Sequence, residues 1–80
     1  MIKIKFDYTF YNERYRMWQW CNKNFENGVW KYPTSIQELE FEYPVGNSLT
    51  VRWLGAELYG ELYFLFRDED DAAFFSLRWC

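Results

Sequence analysis

The sequence predicts an α+β fold in which a strand, a helix, three strands and a second helix follow one another along the chain. Both helices are expected to pack on one face of an antiparallel-dominated sheet. Two observations lead to this order. Apolar residues alternate at the start of the chain and again in its second half, and they recur every three or four residues after Asn12 and after Asp68. Eighty residues suffice for one small core, so residues 1–80 are interpreted as a single globular domain.

The opening segment, MIKIKFDYTF, is predicted to be a half-buried strand. Polar and apolar residues alternate along it, which places one set of side chains on each face of a strand. The apolar set is Ile2, Ile4, Phe6, Tyr8 and Phe10.

A first amphipathic helix is predicted over roughly residues 13–26. Asn12 is a candidate N-cap, and the pair Asn27-Gly28 is a candidate stop. Trp20 lies beside the centre of the apolar stripe, so the stripe is broad or Trp20 is partly exposed. The stripe consists of Tyr11, Tyr15, Trp18, Cys21 and Phe25.

Three strands are predicted in the second half of the chain. In residues 38–43, glutamates alternate with apolar residues until Pro44. Residues 49–54 alternate again, and Gly55 is expected to close that strand. The run Glu61–Phe66 is apolar at both odd and even positions, which is typical of a central strand.

The segment between the first helix and these strands has a weaker pattern. Pro33 interrupts residues 29–34, which are predicted to be irregular, although Trp30 and Tyr32 would share one face if the segment were extended. Residues 35–38 are predicted to form a single helical turn.

The stretch RDEDDAAFFSLRWC is predicted to be a second helix, capped by Asp68. The next three acidic residues, Glu69, Asp70 and Asp71, would lie in its first turn, where negative charge meets the positive end of the helix dipole. We therefore interpret the acidic run first as a helix start. The buried face of this helix is predicted to consist of Ala72, Phe75 and Trp79.

Residue types that catalysis commonly uses are scarce. The chain contains no histidine, which is the commonest general base near neutral pH and the commonest metal ligand. Two cysteines cannot form a zinc site alone, and the four glycines form no phosphate-binding loop. Cys21 is interpreted as a buried hydrophobe and Cys80 as a thiol without an activating neighbour. We expect a non-enzymatic protein with neither a cofactor nor a metal.

Charge and hydropathy also bear on the partners. A net charge of −3 argues against binding by phosphate neutralisation, and the nine basic residues are scattered. No apolar stretch approaches the ~20 residues needed to cross a bilayer, and no signal peptide is recognised. Two cysteines are too few for a disulfide framework, so we expect a cytoplasmic protein without membrane contact.

The aromatic content indicates a contact surface. Aromatic residues make up 25% of the chain, more than a core of this size can enclose, and exposed Tyr and Trp are typical of binding sites. Trp18 is assigned to the core. The predicted partner-binding residues are Arg16, Trp20, Lys23, Trp30 and Tyr32.

The sequence also allows two alternative binding surfaces. The basic residues that interleave with the aromatic ones in the first helix could bind single-stranded RNA or DNA by stacking and neutralisation. Alternatively, an acidic surface could mimic a nucleic-acid backbone and occupy the basic groove of a nucleic-acid-handling enzyme. That acidic surface would consist of Glu38, Glu40, Glu42, Asp70 and Asp71.

The tail Phe66–Trp79 combines a strand Phe with Asp-Ala, Phe and Leu-Arg-Trp. It resembles the ending of many small accessory proteins encoded by tailed bacteriophages. The resemblance implies a protein that binds a bacterial host protein and inhibits or redirects it, and components of host immune systems are among such targets. The resemblance assigns no catalytic residues to this chain. The leading hypothesis is therefore stoichiometric binding to a host protein, with nucleic acid disfavoured and a homo-oligomer left open.

Overall fold

The computed structural model describes residues 2–7, 12–26, 28–38 and 52–80. These residues form a four-stranded sheet of order β1-β4-β3-β2, in which β4 is antiparallel to both of its neighbours and β2 is parallel to β3. The α+β class that the sequence predicts is confirmed. The elements are β1 (Ile2–Phe6), α1 (Arg14–Phe25), β2 (Val29–Lys31), β3 (Trp53–Leu58), β4 (Glu61–Phe66) and α2 (Glu69–Trp79).

Strands β3 and β4 form a hairpin with the two-residue turn Tyr59-Gly60. Both residues have positive φ angles, 54° and 79°. Positive φ angles at both central residues define a type I′ turn, whose twist matches that of the two strands. Leu58 and Glu61 pair directly across the turn, so the turn sets the register of the whole hairpin.

The sheet carries apolar side chains on both faces, and both helices pack on one of them. Strand β4 contributes to both faces because its successive side chains alternate between them. The prediction of a central strand here is confirmed. The core on the helix side consists of Phe6, Met17, Cys21, Phe25, Trp53, Leu62, Phe64, Phe66, Ala72 and Phe75. The cluster on the opposite face consists of Leu54, Ala56, Leu58, Tyr63 and Leu65, with Ile36 packed against it.

Helix α1 matches the predicted helix within a residue at each end, but it is rotated about its axis. Met17, Cys21 and Phe25 are fully buried, whereas Tyr15 is 61% exposed. The predicted stripe through Tyr15 and Trp18 was therefore wrong as the core face. The core lies along positions spaced by four, which leaves Tyr15 and Trp18 at the side of the helix.

The predicted caps of α1 are also corrected. The N-cap position is Glu13 rather than Asn12, and its side chain makes no capping hydrogen bond. At the other end, Glu26 takes a positive φ of 72°, and the backbone N–H of Gly28 donates to Asn22 Oδ1 at 3.2 Å. The helix thus ends through a hydrogen bond from the chain that follows it, a contact that sequence pattern alone does not show.

Two strand predictions are corrected as well. Residues 29–31, predicted to be irregular, form β2, which gains its hydrogen bonds from parallel pairing with β3. Gly55, predicted to end a strand, lies inside β3 and pairs with Trp30 on one side and Phe64 on the other.

The predicted helical turn and the strand after it fall at the limit of the described residues. Residues 36–38 are helical, as predicted, and the Glu38 backbone N–H donates to Ser35 Oγ at 3.2 Å. The predicted strand over residues 38–43 lies outside the described residues, apart from Glu38. That residue belongs to the helical turn.

Helix α2 is anchored by an acidic residue of its first turn. Asp71 is 7% exposed, and its two carboxylate oxygens accept hydrogen bonds from Arg52 Nε and Nη2 at 2.7 and 2.9 Å. The same guanidinium lies 5.5 Å from the centre of the Phe25 ring, and its pKa is raised chiefly by the hydrogen bond to Asp71. Asp68 occupies the N-cap position with extended backbone, but its side chain makes no capping hydrogen bond. The start of the helix was predicted correctly. The side chain that secures it is that of Asp71, not that of the predicted cap, Asp68.

Asp71→Asn is expected to reduce the free energy of unfolding by about 1–3 kcal/mol, because it removes the negative charge and replaces one of the two acceptor oxygens with an NH₂ donor that faces the Arg52 guanidinium. Asp70→Asn is the matched control in the same turn, since Asp70 is exposed, and should cost less than about 0.5 kcal/mol. Urea unfolding curves of both variants measure the difference. Equal costs would contradict the assigned anchor.

A candidate binding groove lined by aromatic residues

An open groove of about 550 Å³ lies where the N-terminal half of α1 meets the parallel strands β2 and β3. Helix α1 contributes one wall. Strands β2 and β3, with the residue that follows β2, contribute the floor and the other wall. The groove is lined by Arg14, Tyr15, Trp18, Trp30, Tyr32 and Glu57.

The position of Trp30 depends on a glycine in the neighbouring strand. A Cβ atom at Gly55 would lie 2.4 Å from Cζ3 of the Trp30 ring, so the ring occupies the space that any other residue would fill. The ring also makes edge contacts with Phe64 and Trp18, at centroid distances of 6.0 and 6.5 Å. Trp30 is thus held from three sides, which gives the groove a rigid floor.

Glu57 is the carboxylate among the described residues that line the groove, and its side chain is 13% exposed. Trp30 Nε1 donates to Glu57 Oε2 at 3.4 Å, and Arg14 Nε lies 3.7 Å from Glu57 Oε1. Both contacts are long for a hydrogen-bonded carboxylate. Because an ionised carboxylate has about four acceptor positions, Glu57 retains capacity for a closer donor.

The rim of the groove carries exposed aromatic area. Tyr15 and Tyr32 are 61% and 72% exposed, and Trp18 lies beside Tyr15 with the ring centres 6.1 Å apart. Trp18 Nε1 is buried and has no hydrogen-bond acceptor within the described part of the chain. Such an unpaired donor costs free energy, and departures of this kind are concentrated at functional sites.

The structure brings together only two of the five predicted partner-binding residues. Trp30 and Tyr32 share the groove, as their common strand face implies. Arg16 is exposed on α1 and pairs with Glu13 at 3.1 Å, and Lys23 is exposed in the last turn of the same helix. Neither lines the groove. The predicted binding set missed four lining residues, Arg14, Tyr15, Trp18 and Glu57.

Trp20 lies on the other side of α1, between the two helices. Its ring centre is 5.2 Å from that of Phe74 and 5.5 Å from that of Phe25, and it also contacts Phe75 and Trp79. We therefore assign Trp20 to helix–helix packing rather than to the groove. Trp18, which the sequence assigned to the core, is half-buried and lines the groove instead.

The alternative acidic surface is not a uniform patch among the residues that the structure describes. Asp71 is paired with Arg52, and Glu38 Oε2 accepts hydrogen bonds from the Thr34 N–H and hydroxyl at 2.9 and 2.8 Å. Asp70 is exposed, but the concavity that it lines also contains Arg52 and Arg67. Glu40 and Glu42 lie outside the described residues.

The two cysteines differ in their exposure. Burial raises the pKa of the Cys21 thiol, which keeps it protonated, whereas Cys80 is an exposed free thiol. Within residues 2–7, 12–26, 28–38 and 52–80, no three His, Cys, Asp or Glu side chains are grouped as metal ligands. In the same part of the chain, neither helix has the length and apolar character that crossing a bilayer requires.

Comparison of the chain with protein-family models, with curated proteins and with solved structures finds no match.

Gly55→Ala is expected to destabilise the fold by about 1–3 kcal/mol, because the added methyl group overlaps the Trp30 ring. The double variant Gly55→Ala/Trp30→Leu should recover part of that loss, since the smaller side chain leaves room for the methyl group. Urea unfolding of the two single variants and the double variant gives the coupling free energy. Strictly additive losses would show that the ring does not depend on Gly55.

The two faces of α1 are expected to respond differently to truncation. Trp20→Ala should cost about 3–5 kcal/mol, because it empties the aromatic contact between the helices. Tyr15→Ala should change stability by less than about 0.5 kcal/mol, because the ring is largely exposed. Thermal or urea unfolding tests both values, and a stable Trp20 variant would disprove its assignment to packing.

Proposed function

We propose that this chain is a non-enzymatic accessory protein that binds a protein partner stoichiometrically, and that the aromatic groove is its contact site. The observation that carries the proposal is that two largely exposed tyrosines, Tyr15 and Tyr32, line one concave surface together with two half-buried tryptophans. Tyrosine and tryptophan are enriched at the centres of protein interfaces, because each buries a large apolar area and retains a polar end.

The rigidity of the groove supports this role. Trp30 is held by Gly55, Phe64 and Trp18, so little side-chain freedom remains to be lost when a partner binds. Lost side-chain freedom is one of the main costs of association, and a site that is already ordered avoids part of it. The two tyrosines have only two side-chain torsions each, which keeps the cost at the rim low as well.

The proposed partner is a bacterial host protein. This part of the proposal depends on the resemblance of the tail, Phe66–Trp79, to tailed-bacteriophage accessory proteins. Inhibition or redirection of a host defence system in the bacterial cytoplasm is the form of activity that the resemblance implies. A second copy of this chain is the competing occupant, and the experiment below distinguishes it.

Binding of single-stranded nucleic acid is the second candidate, and the groove gives it one supporting feature. Arg14 lines the same groove as Tyr15 and Tyr32, a combination suited to stacking and neutralisation. Of the other basic residues, Arg16 and Lys23 do not line the groove, and Glu57 adds a negative charge within it. With a net charge of −3, the balance of charges favours a protein partner.

The test is an affinity pull-down from bacterial lysate with the wild-type chain and the variant Tyr15→Ala/Tyr32→Ala. The matched control is Tyr59→Ala, since Tyr59 is 81% exposed and lies outside the groove. The proposal expects the wild type and the control to retain the same protein in a defined ratio, and the groove variant to lose it. Each lysate is tested with and without nuclease.

Three results would contradict the proposal. Recovery that disappears on nuclease treatment would favour nucleic acid. Recovery that is unchanged in the groove variant would place the contact elsewhere. Sedimentation that shows a dimer of the wild type and a monomer of the groove variant would make a second copy of the chain the occupant.

A further inference from the structure

We infer that the groove is a receptor for a cationic side chain, and that the occupant is an arginine on an exposed segment of the protein partner. This inference rests on the proposed function, because it names the chemistry of the partner at the same site. Its basis is the combination of aromatic walls with a partly buried carboxylate whose two contacts are both long.

The aromatic walls favour a cation. The faces of Trp and Tyr rings carry negative electrostatic potential, and a cation that lies over such a face is attracted to it, more strongly when water is excluded. Among the described residues, four such rings line one concave surface, those of Tyr15, Trp18, Trp30 and Tyr32. A planar guanidinium can stack on them, whereas a compact ammonium cannot, which favours arginine over lysine.

The carboxylate of the groove supplies charge complementarity. Glu57 is 13% exposed, and its two contacts given above, at 3.4 and 3.7 Å, are both longer than a charge-assisted hydrogen bond. An incoming guanidinium could therefore form closer bonds to Glu57 than Arg14 does. The net charge of −3 adds a long-range attraction for a basic segment.

Arg14 is then a competitor built into the groove. Its side chain is 37% exposed and its Nε lies 3.7 Å from Glu57 Oε1, so a partner's arginine that reaches Glu57 would compete with it for the same carboxylate. The effect of removing Arg14 therefore differs in direction between a cationic and an anionic ligand. Removal of Arg14 should strengthen the binding of a cation, whereas it should weaken the binding of an anion, a phosphate or a nucleic acid.

The experiment is an NMR titration of the full chain with the peptide acetyl-Gly-Ser-Gly-Arg-Gly-Ser-Gly-amide. The control peptide has citrulline, which is neutral and nearly the same shape, in place of arginine, and a third peptide has lysine. The indole N–H signals of Trp18 and Trp30 report on the groove, and that of the fully buried Trp53 reports that the fold is intact. We expect the arginine peptide to shift the first two signals, with the lysine peptide weaker and the citrulline peptide weakest.

Two variants test the charges. Glu57→Gln should weaken the binding of the arginine peptide roughly fivefold or more, and Arg14→Met should strengthen it about twofold to fivefold. Arg16→Met is the matched control for Arg14, since it removes a positive charge from the same helix outside the groove, and Asp70→Asn is the control for Glu57. Neither control should change the affinity by more than about twofold.

Several outcomes would overturn the inference. Equal affinity for the arginine and citrulline peptides would show that the cation is not recognised, as would an unchanged affinity in Glu57→Gln. A loss of affinity in Arg14→Met, together with binding of an oligothymidylate at ~150 mM salt, would show that the groove takes a nucleic acid.

The failure of this inference can be told apart from the failure of the proposed function. If the pull-down depends on Tyr15 and Tyr32 while the charge variants have no effect, the groove binds a protein by other chemistry. If the arginine peptide binds through Glu57 while the pull-down is unaffected by the groove variant, the recognition of a cation stands and the assigned contact with the partner is wrong.

Discussion

The burial of Trp53 is the interaction on which the rest of the arrangement depends. Its ring stacks on Phe64 at 6.3 Å, and its Nε1 donates to the backbone carbonyl of Glu26 at 2.9 Å, at the end of α1. A Cβ at Gly28 would lie 2.3 Å from this ring, so the chain can pass from α1 into β2 only with a glycine at that position. One side chain thus places the helix, the parallel edge strand and the central hairpin relative to one another. Trp30, two residues after Gly28, is carried into the groove as a consequence.

Aromatic side chains both stabilise the fold and line the candidate site. The two groups lie on opposite sides of α1. On the side of α1 that faces α2, the partly buried ring of Trp20 packs against Phe25 and Phe74 and stabilises the contact between the helices. On the other side, Tyr15 and Tyr32 remain largely exposed. A small chain can bury only part of its aromatic area, and the remainder becomes available for binding where it is concave and rigid.

The candidate site was only partly predictable. Trp30 and Tyr32 were identified because residues two apart share a face of any extended segment. Arg14 and Tyr15 would have been included in the predicted binding set if the buried face of α1 had been centred on Met17. The apolar spacing alone did not decide this, because apolar residues lie on both sides of the stripe and several faces of the helix fit a three- to four-residue repeat. No local sequence pattern marks Glu57 as a residue of the groove. Its position there depends on the parallel pairing of β2 with β3, which joins segments far apart in the sequence.

Local patterns were sufficient for the α+β class, for both helices and for the first and last strands, because alternation and three- to four-residue steps are imposed by the backbone within a single element. The acidic start of α2 was predicted for the same reason. Only the tertiary structure decided that Asp71, rather than Asp68, secures that helix, since its partner Arg52 comes from another part of the chain. It also decided that Gly55 continues a strand, because the ring of Trp30 takes the space of its missing side chain. These outcomes depend on which elements meet, and contacts between distant segments leave no periodic trace in the sequence of either one.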